Sequence, residues 1–261
     1  IGDRPHEIEL LTYIYPLIVM RDGEIDRALA LLDEGLRLSQ RVGSVTGIAD
    51  ALMLTSEIDS LRGDYEAALA AGRQSQEAAT LLEGFMPFYA VHSLAVLDQV
   101  YVALGDAYAA DEAATRQHAL DLLQHPVGLI GGGLAWARLG WGALARGDTP
   151  AAEALFDQGL KMPTMMMHVE RPRYLAGLAE VRLRQGQPDE ARRLAAEARE
   201  AAEQAGLRLV YPFTALTLGR ALAATGDGPA ARAEFARAEA EARALGLRPL
   251  AEAAQRERVA A

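Results

Sequence analysis

Near the end of the chain, small and apolar residues return at helical spacing. Ala231, Phe235, Ala238, Ala242 and Leu245 share one face, while Arg232, Glu234, Arg237, Glu239, Glu241 and Arg243 take the others. Such a helix packs on one side and is wet on the other. The same reading predicts first helices near 5–21, 45–62, 87–104, 128–146, 167–185 and 209–225. Second helices are predicted near 25–42, 65–83, 108–124, 150–161, 188–205 and 229–245. Pro150, Pro188 and Pro229 stand where second helices begin, a place where the missing amide hydrogen would be unpaired anyway. Pro16 falls inside the first helix and should kink it.

The helices recur in pairs. A glycine, usually followed by an acidic residue, stands at Gly23, Gly63, Gly105, Gly147, Gly186 and Gly226, with spacings of 40, 42, 42, 39 and 40. Five residues after each comes an alanine: Ala28, Ala68, Ala110, Ala152, Ala191 and Ala231. A glycine tolerates the left-handed conformation that ends one helix, and a small alanine lets the next fold back closely upon it. Each unit therefore reads as a helical hairpin, and six fit the chain. Seven residues before the turn the side chain is small in most units, as at Ser56, Gly140, Ala179 and Gly219. Phe156 and Phe235 stand nine after it, and Gly159, Ala198 and Ala238 twelve after it.

This pattern, with Trp136 eleven residues before Gly147, resembles the tetratricopeptide repeat (TPR). The resemblance covers essentially the whole chain. It is strongest around Gly147 and Gly226, and weakest around Gly23 and Gly105. The period of about 40 is longer than the usual 34 or so, and the proline that closes each unit is missing from its customary place. The resemblance implies an all-α fold, a right-handed superhelical solenoid (α-α superhelix) of about six TPR-like hairpins, as one domain over 1–261. Lengthened units of this kind, and the closing stretch from Ala244 to Leu250, are similar to the repeat domains of large bacterial signalling proteins. These include MalT-like, LuxR-type transcriptional activators and multidomain ATPases coupled to nucleotide cyclases. A chain that begins at Ile1 agrees with a piece excised from such a protein.

Composition narrows the class. Of 261 residues, 51% are hydrophobic and 24% charged, which is ample for a core. The formal net charge of −10 repels phosphate backbones and acidic lipids, so direct nucleic-acid or membrane binding by this segment is not expected. There is no cysteine, hence no disulfide or thiolate metal site, and no apolar run long enough to span a bilayer. The cytoplasm is the expected compartment.

Catalytic chemistry finds little support. His6, His92, His118, His125 and His168 lack metal-ligand spacing, and carboxylate pairs such as Asp111-Glu112 and Asp189-Glu190 stand at helix starts, where they oppose the dipole. Gly128 to Gly133 lacks the lysine and hydroxyl residue of a phosphate loop, so these glycines are read as allowing close helix approach. Ser39, Ser44, Ser56, Ser60, Ser75 and Ser93 read as caps or solvated positions. No enzyme, cofactor or metal is expected. An all-helical enzyme would need a constellation that these spacings do not show.

Binding has better candidates. Met162, Met165, Met166 and Met167 with His168 form a soft, adaptable cluster, although such residues also fill irregular gaps. Aromatics gather near the starts of first helices: Phe85, Phe88 and Tyr89 with His92, then Tyr174, then Tyr211 and Phe213. Packing within the hairpins is the competing role for each. By the resemblance, first helices line the concave face, so a groove ligand would meet these side chains. Arg171 and Arg173 would face an acidic partner there, unless they are simply solvated. The expected partner is a protein, a peptide or another domain of the same protein. A small-molecule inducer is the alternative.

Overall fold

The computed structural model describes residues 4–124, 133–162 and 167–261. Every regular element among them is helical. The elements are α1 (Arg4–Glu9), a π-helical turn (Leu10–Ile14), α2 (Tyr15–Arg21), α3 (Ile25–Val42), α4 (Val45–Arg62), α5 (Tyr65–Thr80), α6 (Pro87–Leu104) and a 3-10 turn (Asp106–Tyr108). They continue as α7 (Ala109–Leu123), α8 (Gly133–Ala145), α9 (Thr149–Lys161), α10 (Met167–Arg184), α11 (Pro188–Gln204), α12 (Tyr211–Ala224), α13 (Gly228–Ala244) and α14 (Arg248–Ala260). The expected TPR-like helix pairs are all present, followed by one helix, α14, that the repeat count did not include.

At two of the hairpin turns, Gly226-Asp227 and Gly147-Asp148, the dipeptide both closes one helix and caps the next; the Asp64 side chain makes no such cap. Gly226 has φ +84°, and its N–H donates to Ala223 O while the Asp227 N–H donates to Leu222 O. These two bonds close α12 as a left-handed cap. The Asp227 carboxylate then accepts from the Ala230 N–H at 3.3 Å, satisfying an orphan donor of α13. Gly147 and Asp148 repeat the arrangement, with Asp148 accepting from Ala151 N at 3.1 Å. Gly43, Gly206 and Gly246 also take left-handed φ, at the ends of second helices. The sequence reading passed over these three.

At Pro16 the helix widens. The Tyr15 N–H reaches back to Leu10 O, one residue further than in an α-helix, and Thr12 Oγ1 donates to Ile8 O at 2.9 Å. This π turn takes up the proline that cannot donate to the preceding turn. A second proline, Pro172, lies within α10.

The clasp alanines are buried at Ala28, Ala68, Ala152, Ala191 and Ala231. Ala110 is exposed, against expectation. After Gly105 the chain inserts the 3-10 turn, which delays the second helix by two residues. The inward set becomes Glu112, Thr115, Ala119 and Leu123. Glu112 then occupies the clasp, paired with Arg116 at 2.5 Å.

The small positions before and after each turn touch. Ser56 donates to Ala68 O at 2.7 Å across the α4–α5 pair. Ser75 bonds Ala49 O at 2.8 Å and Ser93 at 2.7 Å, and Ser39 bonds Gly35 O at 2.7 Å. These four serines are buried between helices, not caps or solvated positions as expected. Each sits where another repeat carries glycine or alanine, and its hydroxyl is satisfied by backbone or by a second serine. Ser44 does cap, accepting from Gly47 N at 3.3 Å.

The chain divides into two compact units. One comprises Ile1–Met20, Glu24–Ser60 and Asp64–Arg138; the other Arg21–Gly23, Leu61–Gly63 and Leu139–Ala261. In the first unit Ala68, Leu69, Leu97, Val100 and Tyr101 form a core cluster. In the second, Ala215, Leu216, Leu222, Ala231, Phe235, Ala238 and Ala254 do so. Gly140 and Gly177 both face the ring of the fully buried Phe156, with Trp141 edge-on at 5.8 Å.

Candidate functional site

Positions thirteen and six residues before the hairpin glycine are seven apart, two helical turns, and so share a face of each first helix. At the first of them stand Leu10, Asp50, His92, Leu134, Arg173 and Phe213; at the second Leu17, Glu57, Gln99, Trp141, Glu180 and Arg220. The clasp positions repeat one kind of side chain, whereas these positions vary in charge and shape.

In the N-terminal unit this face carries buried polar groups. The Arg138 guanidinium donates through Nη2 to Glu57 Oε2 at 2.6 Å and through Nη1 to His92 Nδ1 at 3.1 Å. His92 is thereby held with its proton on Nε2. Gln99 donates to the Arg138 carbonyl at 3.2 Å. Arg138 is only 3% exposed, and among the described residues its Nε finds no hydrogen-bond partner; the same is true of the buried Trp136 Nε1. His92 lies tilted against Phe88 at 4.6 Å, and Phe88 meets Tyr89 at 5.2 Å and Tyr13 at 6.2 Å, both edge-on. Burial, reinforced by Glu9, pushes the Asp50 carboxyl well above its ordinary 3.8. Burial, together with Asp50 and Glu9, pushes the Tyr89 phenol up to about 12.

Three of the expected aromatic-site residues are thus brought together: Phe88, Tyr89 and His92. Phe85 is not with them. It stands 66% exposed in the turn before α6.

In the C-terminal unit the first helices are joined by a ladder of charges. Glu180 Oε1 accepts from Thr217 Oγ1 at 3.1 Å and from Arg220 Nη1 at 2.9 Å, while Arg220 Nε donates to Glu257 at 2.8 Å. Burial works against the Arg220 charge, and Glu180 and Glu257 outweigh it, holding its pKa above the ordinary value. Arg199 lies 5.3 Å over the Tyr211 ring and donates to Tyr211 O, Glu203 and Glu241. Arg171 is exposed and ion-paired with Glu197. Arg173 and Phe213 are half-buried. Tyr174 is fully buried with its ring against Gly159, so it is a packing residue and offers no groove surface. Met165, Met166 and the side chain of His168 lie outside the described residues, as do Gly128 to Gly132.

The buried charges Asp50, Glu57, Arg138 and Glu180, and the half-buried Arg220, escaped the sequence reading. The equal offset of Glu57, Glu180 and Arg220 from their glycines was the available signal. Among the described residues, no three His, Asp or Glu side chains gather so as to hold a metal ion, and no helix is long and apolar enough to cross a membrane.

With this geometry established, comparison with solved structures defines the class. A thermophilic TPR protein of Thermus thermophilus is similar over 81% of this chain and 98% of its own, at 24% identity and a TM-score of 0.52. BtubC (BKLC) of P. vanneervenii is similar over 84% and 91%, at 16% identity and a TM-score of 0.57. The fold is TPR-like, a succession of helical hairpins of the α-α superhelix class. No family model and no curated protein matches the sequence.

Proposed function

We propose that this chain is a non-catalytic interaction module, which binds a protein, a peptide or an effector on the inward face of its first helices. One observation carries the reading. Packing positions are nearly uniform from repeat to repeat, while the two first-helix positions that share a face change from Asp50 to His92 to Arg173 to Phe213, and from Glu57 to Gln99 to Glu180 to Arg220. A purely structural face has no need of that variety, and repeat scaffolds gain recognition surface with each hairpin while neighbour contacts supply stability. In keeping with the resemblance to MalT-like activators, the module belongs to a bacterial signalling or transcription-regulating protein of the cytoplasm. Its partner is a protein or another domain of that protein.

The test is capture of partners from a lysate by the wild-type chain and by an Arg173→Ala/Phe213→Ala variant. A partner held by the wild type and lost by the variant, with the melting temperature unchanged, supports the reading. Identical capture by both overturns it. A small-molecule inducer is the second reading, favoured by Asp50, whose carboxyl is too deep for a broad protein surface to reach.

A further inference from the structure

We infer that the turn between α5 and α6 is a docking surface for a segment of a protein partner that presents an apolar anchor among lysines or arginines. The inference goes beyond the first-helix face, and neither reading rests on the other.

Among the described residues seven large apolar side chains are exposed, and three of them, Leu81, Phe85 and Met86, fall within six residues of chain. Exposed singly such side chains need no explanation, but gathered together they mark a contact surface. The turn holds them in a fixed arrangement. The Met86 N–H donates to Leu82 O at 2.7 Å, and the Phe85 N–H donates to the same carbonyl at 3.1 Å. Leu82 and Pro87 are buried, so the turn is anchored on both sides of its exposed middle. From α7, His118 Nε2 donates to Glu83 Oε1 at 2.9 Å, and Leu122 packs on the core cluster beneath the start of α6. A methyl group on Gly84 would meet nothing within 4 Å, so the turn is open at that point. Other connections between hairpins bury their apolar residues, as Leu207, Leu209 and Val210 do before α12 and Leu247 before α14. Packing therefore does not account for the apolar side chains exposed here.

Charge selects the occupant. From Gln74 to Thr115 the chain has no lysine or arginine. Glu77 is exposed on α5 four residues before Leu81, Glu83 stands in the turn itself, and Asp121 is exposed on α7 beside Leu122. Arg116, the next cation along the chain, is paired with Glu112. An apolar centre with an acidic rim, on a molecule of net charge −10, repels anionic lipid and repels a second copy of itself. Its complement is a segment that is apolar where it touches and basic around that contact.

Fluorescence anisotropy of a labelled amphipathic peptide of leucine and lysine, titrated with the full chain, tests this. A leucine–glutamate peptide and a serine–lysine peptide of the same pattern serve as controls. The leucine–lysine peptide is expected to saturate, binding roughly tenfold or more tighter than either control. Leu81→Ser/Phe85→Ser should weaken it roughly tenfold or more with the melting temperature unchanged, since both side chains are exposed. Glu77→Lys/Asp121→Lys leaves the apolar side chains in place and should weaken it roughly threefold or more. Val259→Ser, which removes an exposed apolar side chain on α14, should bind as wild type. Arg173→Ala/Phe213→Ala should do the same, which separates this surface from the first-helix face. No saturable binding, equal binding of either control peptide, or wild-type affinity in Leu81→Ser/Phe85→Ser or in Glu77→Lys/Asp121→Lys overturns the inference. So does sedimentation as a dimer that Leu81→Ser/Phe85→Ser abolishes, which assigns the surface to a second copy. Cosedimentation with phosphatidylcholine–phosphatidylglycerol vesicles, lost in the same variant, assigns it to a membrane and overturns the inference equally.

Discussion

Gly140 lies against the ring of Phe156 so closely that a methyl group there would stand 2.5 Å from Cε1, and Gly177 closes on the same ring. The ring has no room to retreat. Gly140→Ala is expected to lower stability by about 1–2 kcal/mol, because overpacking at about 1–3 kcal/mol exceeds the gain of up to about 1 kcal/mol in helix propensity. Combined with Phe156→Leu in urea unfolding, it should cost less than the two single changes added together. Strict additivity would show that the contact is not shared.

The clasp alanines divide five to one. Ala191→Leu places a large side chain in a fully buried position and should cost more than about 1–3 kcal/mol. Ala110→Leu, on the exposed face created by the 3-10 turn, should stay within about 0.5 kcal/mol of wild type. Denaturation midpoints of the two variants decide it, and similar losses would deny the two-residue delay after Gly105.

Breaking the buried pair of Glu57 and Arg138 should be severe. Arg138→Met removes the guanidinium that bonds the Glu57 carboxylate at 2.6 Å, and a loss of about 3–5 kcal/mol is expected. Glu57→Leu together with Arg138→Met removes both charges and should recover most of that loss. Thermal melts of the single and double variants supply the comparison; a double variant as unstable as the single would refute the pairing.

Asp50 sets a dependence on pH. Burial, then Glu9, raises its carboxyl in the folded chain above the ordinary 3.8, so the folded chain keeps the proton longer than the unfolded chain does. Between 3.8 and the raised value the folded state binds more protons, and the contribution of Asp50 to stability falls as pH rises through that window. Asp50→Asn should remove this decline and leave the variant at least as stable as wild type near neutral pH. Stability curves of the same shape for both proteins would contradict the assignment.

The helices were legible because their signals are local. Gly226, Asp227 and Pro229 mark a stop, a cap and a start within four residues, and they lie where the sequence placed a turn. The serines were misread because the same hydroxyl serves a cap at Ser44 and an inter-helix bond at Ser75, and only the third dimension distinguishes them. The 3-10 turn after Gly105 was hidden for a similar reason, since Ala110 kept its spacing while the helix beneath it shifted. Of the candidate site, Phe88, Tyr89 and His92 were found as neighbours along one helix. Arg138 and Glu57 are 81 residues apart, and nothing in their local sequence announces that they meet.

The Gly-Asp turn also bears on how such a chain can change over generations. Where one dipeptide both closes a helix and opens its successor, the punctuation travels with the hairpin. A hairpin copied, deleted or exchanged whole at these points keeps its own start and stop signals. Hairpins can then be recombined as cassettes, with the first-helix side chains as the variable cargo and the glycine joints as the fixed couplings.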